Sequence, residues 1–174
     1  MTELLNFVTE YERIGDYAVN IMEKAQELEE KEASFSETAK NELGILDAAL
    51  EHILTLTVDA FENEDVRMAR QVEPLEEIID ILVERLRDQH IKRLKDGACS
   101  IDTGVVFLDV LNNVERISDH CSNVAARLVG MEAGEDYDSH TLKNMMHHNP
   151  SKDYMLNYEQ CRKNYLVPLE EMEA

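Results

Sequence analysis

Apolar residues recur along this chain at three- and four-residue intervals and almost never alternate, the spacing of helices that bury one face. Residues 1 to about 30 read as a first helix whose stripe is Leu4, Val8, Tyr11, Gly15, Ala18, Met22 and Ala25. Ser34 and Ser36, followed by Glu37 and Thr38, supply N-cap chemistry for a second helix, which runs to about Asn63 through Leu43, Leu46, Leu50, Ile53, Thr57 and Phe61. Beyond the polar turn Glu62-Asn63-Glu64-Asp65, a third helix continues through Met68, Val72, Leu75, Ile79, Leu82 and Leu86 to about Leu94, and Gly97 is placed to cap it in the left-handed conformation. Pro74 falls inside that pattern and predicts either a kink or a helix start near Glu73. A fourth helix is expected from about Asp102 to Val129, with Val110, Val114, Ile117, Cys121, Val124 and Leu128 inward and Gly130 closing it. The pattern then breaks into a loop at 134–138 and two short segments, about 141–147 and 152–165, flanking Asn149-Pro150. The fold class is all-α: an antiparallel bundle of long helices with a short helical C-terminal appendage packed on it.

Composition narrows the function classes. A chain of 174 residues is long enough for one domain with a real core. No stretch approaches the roughly 18 to 20 apolar residues of a membrane span, so direct lipid insertion is not expected. Acidic residues number 37 against 17 basic, a formal net charge of −20. That excess repels phosphate backbones and argues against nucleic acid as a partner, while it favours divalent or trivalent cations wherever carboxylates converge. Cys99, Cys121 and Cys161 show no C-x-x-C spacing, and no charged-then-apolar leader precedes the first helix. A cytoplasmic location is the expectation.

One segment occurs twice. Glu12-Arg13-Ile14-Gly15-Asp16-Tyr17-Ala18-Val19-Asn20 returns 115 − 12 = 103 residues later as Glu115-Arg116-Ile117-Ser118-Asp119-His120-Cys121-Ser122-Asn123, with Glu, Arg, Ile, Asp and Asn in the same register. A long-period repeat points to two related units. Glu12, Asp16 and Asn20 form a line about 140° round the helix from the apolar stripe, at roughly 100° per residue, and Glu115, Asp119 and Asn123 form a similar line turned from Val114, Ile117 and Cys121. Glu76 and Asp80 make a third pair on the flank of the third helix. Carboxylates at i and i+4 stand about 6 Å apart and repel unless a cation bridges them; the alternative is a solvated face with Arg13 and Arg116 as counter-ions. An interior di-iron site of the ferritin kind would need E-x-x-H on two helices, and none occurs in the chain. A surface cation site is therefore preferred. Ser118 and Ser122 near His120 make no nucleophilic triad, because nothing places an oxyanion hole.

The E-R-I-x-D-x-x-x-N segment, its second copy, and the intervening Asp59-Ala60-Phe61 and Glu76-x-x-x-Asp80 resemble the PhoU family. In that family two three-helix repeats each end in a helix bearing E(D)-x-x-x-D. Residues 36–130 look like one whole repeat, residues 1–30 like the last helix of the repeat before it, and residues 131–174 like an appendage. With His140 and the tyrosines Tyr154, Tyr158 and Tyr165, the chain is most similar to the cytoplasmic C-terminal region of bacterial sodium/phosphate cotransporters.

The resemblance implies regulation of phosphate transport by a non-catalytic domain at the inner face of the membrane. Its partner would be the transporter's membrane domain or transport machinery, or a second copy in a homodimer. It also implies metal binding, as iron or zinc clusters, by Glu12, Asp16, Glu76, Asp80, Glu115 and Asp119, with Asp59 as a secondary candidate; His120 beside Asp119, and Asn20 and Asn123 on the motif lines, are secondary candidates by their positions. A carboxylate-bridged metal enzyme and a metal-free helical adaptor are the alternatives.

Overall fold

The computed structural model describes residues 2–134, 141–142, 144–145 and 150–173, and the long segments are helical as the periodicity requires. Helix α1 spans Thr2–Glu30, α2 Glu37–Glu62, α3 Val66–Lys95 and α4 Ile101–Ala133; α5, Lys152–Cys161, runs through one π-helical turn, Arg162–Leu166, into α6, Val167–Glu173. Among the described residues no helix is long and apolar enough to cross a membrane.

The starts are chemically specified. The Ser36 hydroxyl accepts from the Ala39 N–H, the Asp65 carboxylate from the Arg67 and Met68 N–H groups, and the Ser100 hydroxyl from the Thr103 N–H. Each removes one or two of the donors that a helix start leaves unpaired. The Asp65 cap decides the fate of Pro74, which is interior to α3: the helix begins a full two turns earlier than the proline alone would suggest. Gly97, with φ of +69°, follows α3 as expected. Helix α4, however, runs through Gly130 and stops at Gly134, whose φ of +72° is the left-handed conformation that ends a helix. Gly130 is buried, so the packed wall of α4 continues past it.

Cross-helix contacts fix the directions. Phe7 meets Phe61 at 5.0 Å between ring centroids, the Arg93 guanidinium grips the Glu42 carboxylate at 2.6 and 2.7 Å, and His90 stacks on Phe107 at 4.5 Å. The first two join the start of one helix to the end of the next, and the third joins the end of α3 to the start of α4, so successive helices are antiparallel. Helices α2, α3 and α4 pack on one another, and α1 lies chiefly along α4. The core they enclose includes Leu46, Ile53, Leu75, Ile79, Leu82 and Leu111, all essentially inaccessible. Each contributes about 1.5–3 kcal/mol by burial. Gly104 lets the start of α4 approach the end of α3; a β-carbon there would lie 2.9 Å from Leu94 Cδ2 and 3.0 Å from His90 Nε2.

The C-terminal helices pack on α3, with contacts to α2. Tyr154 donates to the Glu77 carboxylate, Glu170 receives Arg85 at 3.1 Å and Arg162 at 3.4 Å, and Tyr165 meets His52 of α2 at 2.9 Å. The π turn has a local cause. Pro168 has no N–H for the Asn164 carbonyl, and the Val167 N–H reaches back five residues to Arg162. The short segment expected at 141–147 falls partly outside the described residues, as do His140, Met146, His147 and His148.

Helix α1 departs from its expected orientation. Leu4, Val8 and Met22 are 62%, 54% and 53% exposed, whereas Phe7 is 4% exposed and packs with Ile14, Tyr17 and Ile21 against the core. The helix carries apolar residues on two faces, and the one turned to α4 begins at Phe7. Of the cysteines, Cys121 and Cys161 are buried and Cys99, in the turn between α3 and α4, is half-buried. Burial pushes the Cys121 thiol up to about 12, with Glu76's charge adding and a Thr57 hydrogen bond opposing, and the Cys161 thiol up to about 11.

Candidate functional site

The two motif copies face each other across the antiparallel pair of α1 and α4. Tyr17 and His120, which hold the same place in the two copies, stack at 5.6 Å with their planes 22° apart. Around them the contacts come in matched sets. Asn123 donates to the Glu10 carboxylate at 3.1 Å, and Asn20, its counterpart 103 residues earlier, donates to Asn113 at 3.2 Å, the counterpart of Glu10. The repeat is therefore a local two-fold arrangement of helices, and the asparagines that close each motif are its cross-helix hydrogen bonds.

Glu10 is the buried centre of this interface, 9% exposed. One carboxylate oxygen takes His120 Nδ1 at 2.6 Å as well as Asn123, and the other lies 3.7 Å from Arg127 Nη2. An acceptor of this strength holds the His120 proton on Nδ1 and fixes the ring. Lys24 adds an ion pair to Asp109 of α4 at 3.0 Å, and the carboxylate partners Asp109 and Glu27 raise its pKa. Sequence reading missed Glu10, Arg127 and Arg87. The available signal was an acid at the i+3 position from Phe7 and four before Ile14, within the face that is buried.

The acidic residues of the motifs are separated by this geometry. Glu12 and Asp16 are exposed on α1, turned from α4, while Asn20, also exposed, reaches across to Asn113. Glu115, Asp119 and Asn123 are half-buried on α4 rather than outward, because α1 lies along that side and α3 flanks it. Arg87 of α3 binds Glu115 at 2.9 Å and Asn112 at 3.1 Å, and Arg116 stands 3.6 Å from Asp119. Glu76 is not on an open flank: it is 1% exposed, inside the α2–α3–α4 core close to Cys121, and Asp80, one turn on, is half-buried. Glu73, another acid within the core, accepts from Ser122 at 2.6 Å. Asp59 is half-buried on α2, and its backbone carbonyl takes the Asn63 side chain at 2.8 Å. Among the described residues no three His, Cys, Asp or Glu side chains converge on a point that could hold a metal ion. As arranged, these side chains do not by themselves fit a multinuclear cluster.

The described residues thus form an antiparallel helical bundle that carries one polar motif on two facing helices, with Glu115 and Asp119 of the second copy paired to arginines and Glu12 and Asp16 of the first exposed. Comparison with known proteins makes the class specific. Residues 46–128, from mid-α2 to late α4, match the family model described as the PhoU domain. That stretch carries a PhoU domain. It is 28% identical over 133 residues to the phosphate-specific transport system accessory protein PhoU homolog 1 of Thermotoga maritima, covering 76% of this chain and 56% of that one. It is also 28% identical over 135 residues to the PhoU homolog of Streptococcus pneumoniae, covering 78% and 61%. A PhoU homolog of Xylella fastidiosa is 25% identical over 131 residues, covering 75% and 54%. The chain thus spans little more than half the length of these relatives. No solved structure matches it.

Proposed function

We propose that this chain is a non-catalytic regulatory module of phosphate transport, acting at the inner face of the membrane by docking on the transport machinery. The PhoU domain at 46–128 carries this reading, since relatives sharing it bear the name of phosphate transport accessory proteins. The chemistry of the chain agrees with it. The acids that could serve a reaction are engaged by Arg87, Arg116, Ser122 and His120, which suits a surface that presents helices more than one that turns over substrate. A sodium/phosphate cotransporter is one such machine; the expected partner surface is a cytoplasmic segment of the transporter.

Cation binding belongs to the same proposal. The exposed pair Glu12 and Asp16 supplies two carboxylates to a divalent or trivalent ion, iron or zinc, with the remaining ligands coming from the docked partner or a second copy. The test is phosphate uptake by a bacterial host whose own PhoU-type gene has been deleted. Expressing this chain is expected to change how uptake depends on external phosphate, and Asp16→Ala with Asp119→Ala to abolish that change without loss of helix content. An uptake curve indifferent to the accumulated, folded chain would overturn the reading. Elemental analysis before and after chelation addresses the metal separately: protein that takes up neither iron nor zinc in the presence of its partner removes the cation from the proposal.

A further inference from the structure

Between the start of α3, the end of α4 and the start of α5 lies a cavity of about 560 Å³. Small-molecule sites are of this size, roughly 300–1,000 Å³. Its two sides differ in character. Val129 of α4 and Leu142, both almost fully buried, and the more open Leu156 of α5 make one side apolar. Arg67, Arg70 and Gln71 of α3 line the other. Each guanidinium offers five N–H donors and no acceptor, and two arginines three residues apart share one face of a helix.

In a chain with a net charge of −20, arginines have carboxylates to hand, and most of the others use them. Arg85, Arg87 and Arg93 each hold one at 3.1 Å or less. The cavity pair does not. Arg67 Nε stands 3.8 Å from Asp65, which already accepts two N–H groups as the cap of α3, and Arg70 Nη2 stands 3.9 Å from Glu132. Both separations exceed hydrogen-bond length. The two side chains are 92% and 50% exposed, so the fold does not depend on either. Asp153, in the first turn of α5, is the acid that lines the cavity, one carboxylate against two guanidiniums. The lining is therefore positive within a strongly acidic molecule.

We propose that this cavity binds an amphipathic oxyanion, a carboxylate or phosphate monoester carried on an aliphatic chain. Arg67 and Arg70 take the head through charge-assisted hydrogen bonds, and Val129, Leu142 and Leu156 cover the chain. An anionic membrane surface fits less well, because the charge of −20 holds the rest of the molecule away from it. The inference rests on the cavity alone and goes beyond any role in phosphate transport.

The test is calorimetric titration of the intact chain, with chelator present, by octanoate, octyl phosphate and inorganic phosphate, all below micelle-forming concentrations. At least one eight-carbon probe is expected to bind at a single site, and which one does so identifies the head group. Inorganic phosphate is expected to bind at least about tenfold more weakly, since it leaves the apolar side uncovered. Arg67→Gln combined with Arg70→Gln is expected to weaken the eight-carbon probe about tenfold or more, with an unchanged thermal melt. Asp153→Asn is expected to tighten it about threefold, the sign that marks an anion as the ligand. Leu156→Ser is expected to weaken it severalfold and to leave inorganic phosphate unaffected. Failure of both eight-carbon probes to bind would overturn the proposal, as would binding indifferent to the arginine pair, or inorganic phosphate binding as tightly. Sedimentation of the chain with anionic vesicles, abolished by the arginine variant, would also overturn it, since the arginines would then face a membrane.

Discussion

His90 shows how a single side chain can tie stability to pH. It is 3% exposed, neither ring nitrogen has a hydrogen-bond partner among the described residues, and it stacks on Phe107 beside the Arg93–Glu42 pair. Burial first, and then the Arg93 charge, hold its pKa below the usual imidazole value of 6.5, against a smaller opposite effect of the Gly104 backbone. Above that value the ring is neutral whether the chain is folded or not, and the full stability is present. As pH falls below it, the unfolded chain takes up the proton before the folded one does, so stability is lost. His52, lowered by its own burial, acts in the same direction. Urea unfolding at about pH 7.5 and about pH 5.5 should show this loss, and His90→Phe, which keeps the stack on Phe107, should show less of it. At this scale the sequence was read unevenly. The motif carboxylates were conspicuous because they repeat, and Glu76 because Asp80 stands four residues on, whereas Glu10 and Glu73 have no such mark; the burial of Glu10, Glu73 and Glu76 depends on partners from other helices that no local spacing reveals.

Helix boundaries were legible wherever cap chemistry was local. Ser36 and Gly97 stand where the sequence puts them, and Asp65 outranks Pro74 because a carboxylate accepting two N–H groups specifies a start, while an interior proline removes only one hydrogen bond from a helix already under way. Asp65→Ala is accordingly expected to lower the free energy of unfolding by about 1 kcal/mol, measured by chemical denaturation, with fraying confined to the first turn of α3 in amide exchange. The stripes of α2, α3 and α4 were also legible, since each of those helices has one dominant apolar face. Helix α1 has two. Periodicity found Leu4, Val8 and Met22, a genuine stripe, but the face that meets α4 is the set of Phe7, Ile14, Tyr17 and Ile21 interleaved with Glu10 and Lys24, and those two charged residues hid it. Whether a given apolar face is covered is decided by the rest of the molecule.

Across the whole molecule, the all-helical fold, the absence of strand patterning and the excess of acid are dictated by composition and period alone, but the pairing of the repeated helices across a local two-fold is not. The burial of two of the three cysteines makes that architecture measurable. With the Cys121 and Cys161 thiols pushed to about 12 and about 11 inside the bundle, and Cys99 in an accessible turn, a thiol reagent at neutral pH should count one sulfhydryl promptly in the folded chain and three in denaturant. The slow reaction of the second and third is then a clock. Cys121 sits on the wall shared by α2, α3 and α4, and Cys161 under the C-terminal helices, so the order in which they become reactive reports whether the appendage lifts before the bundle opens.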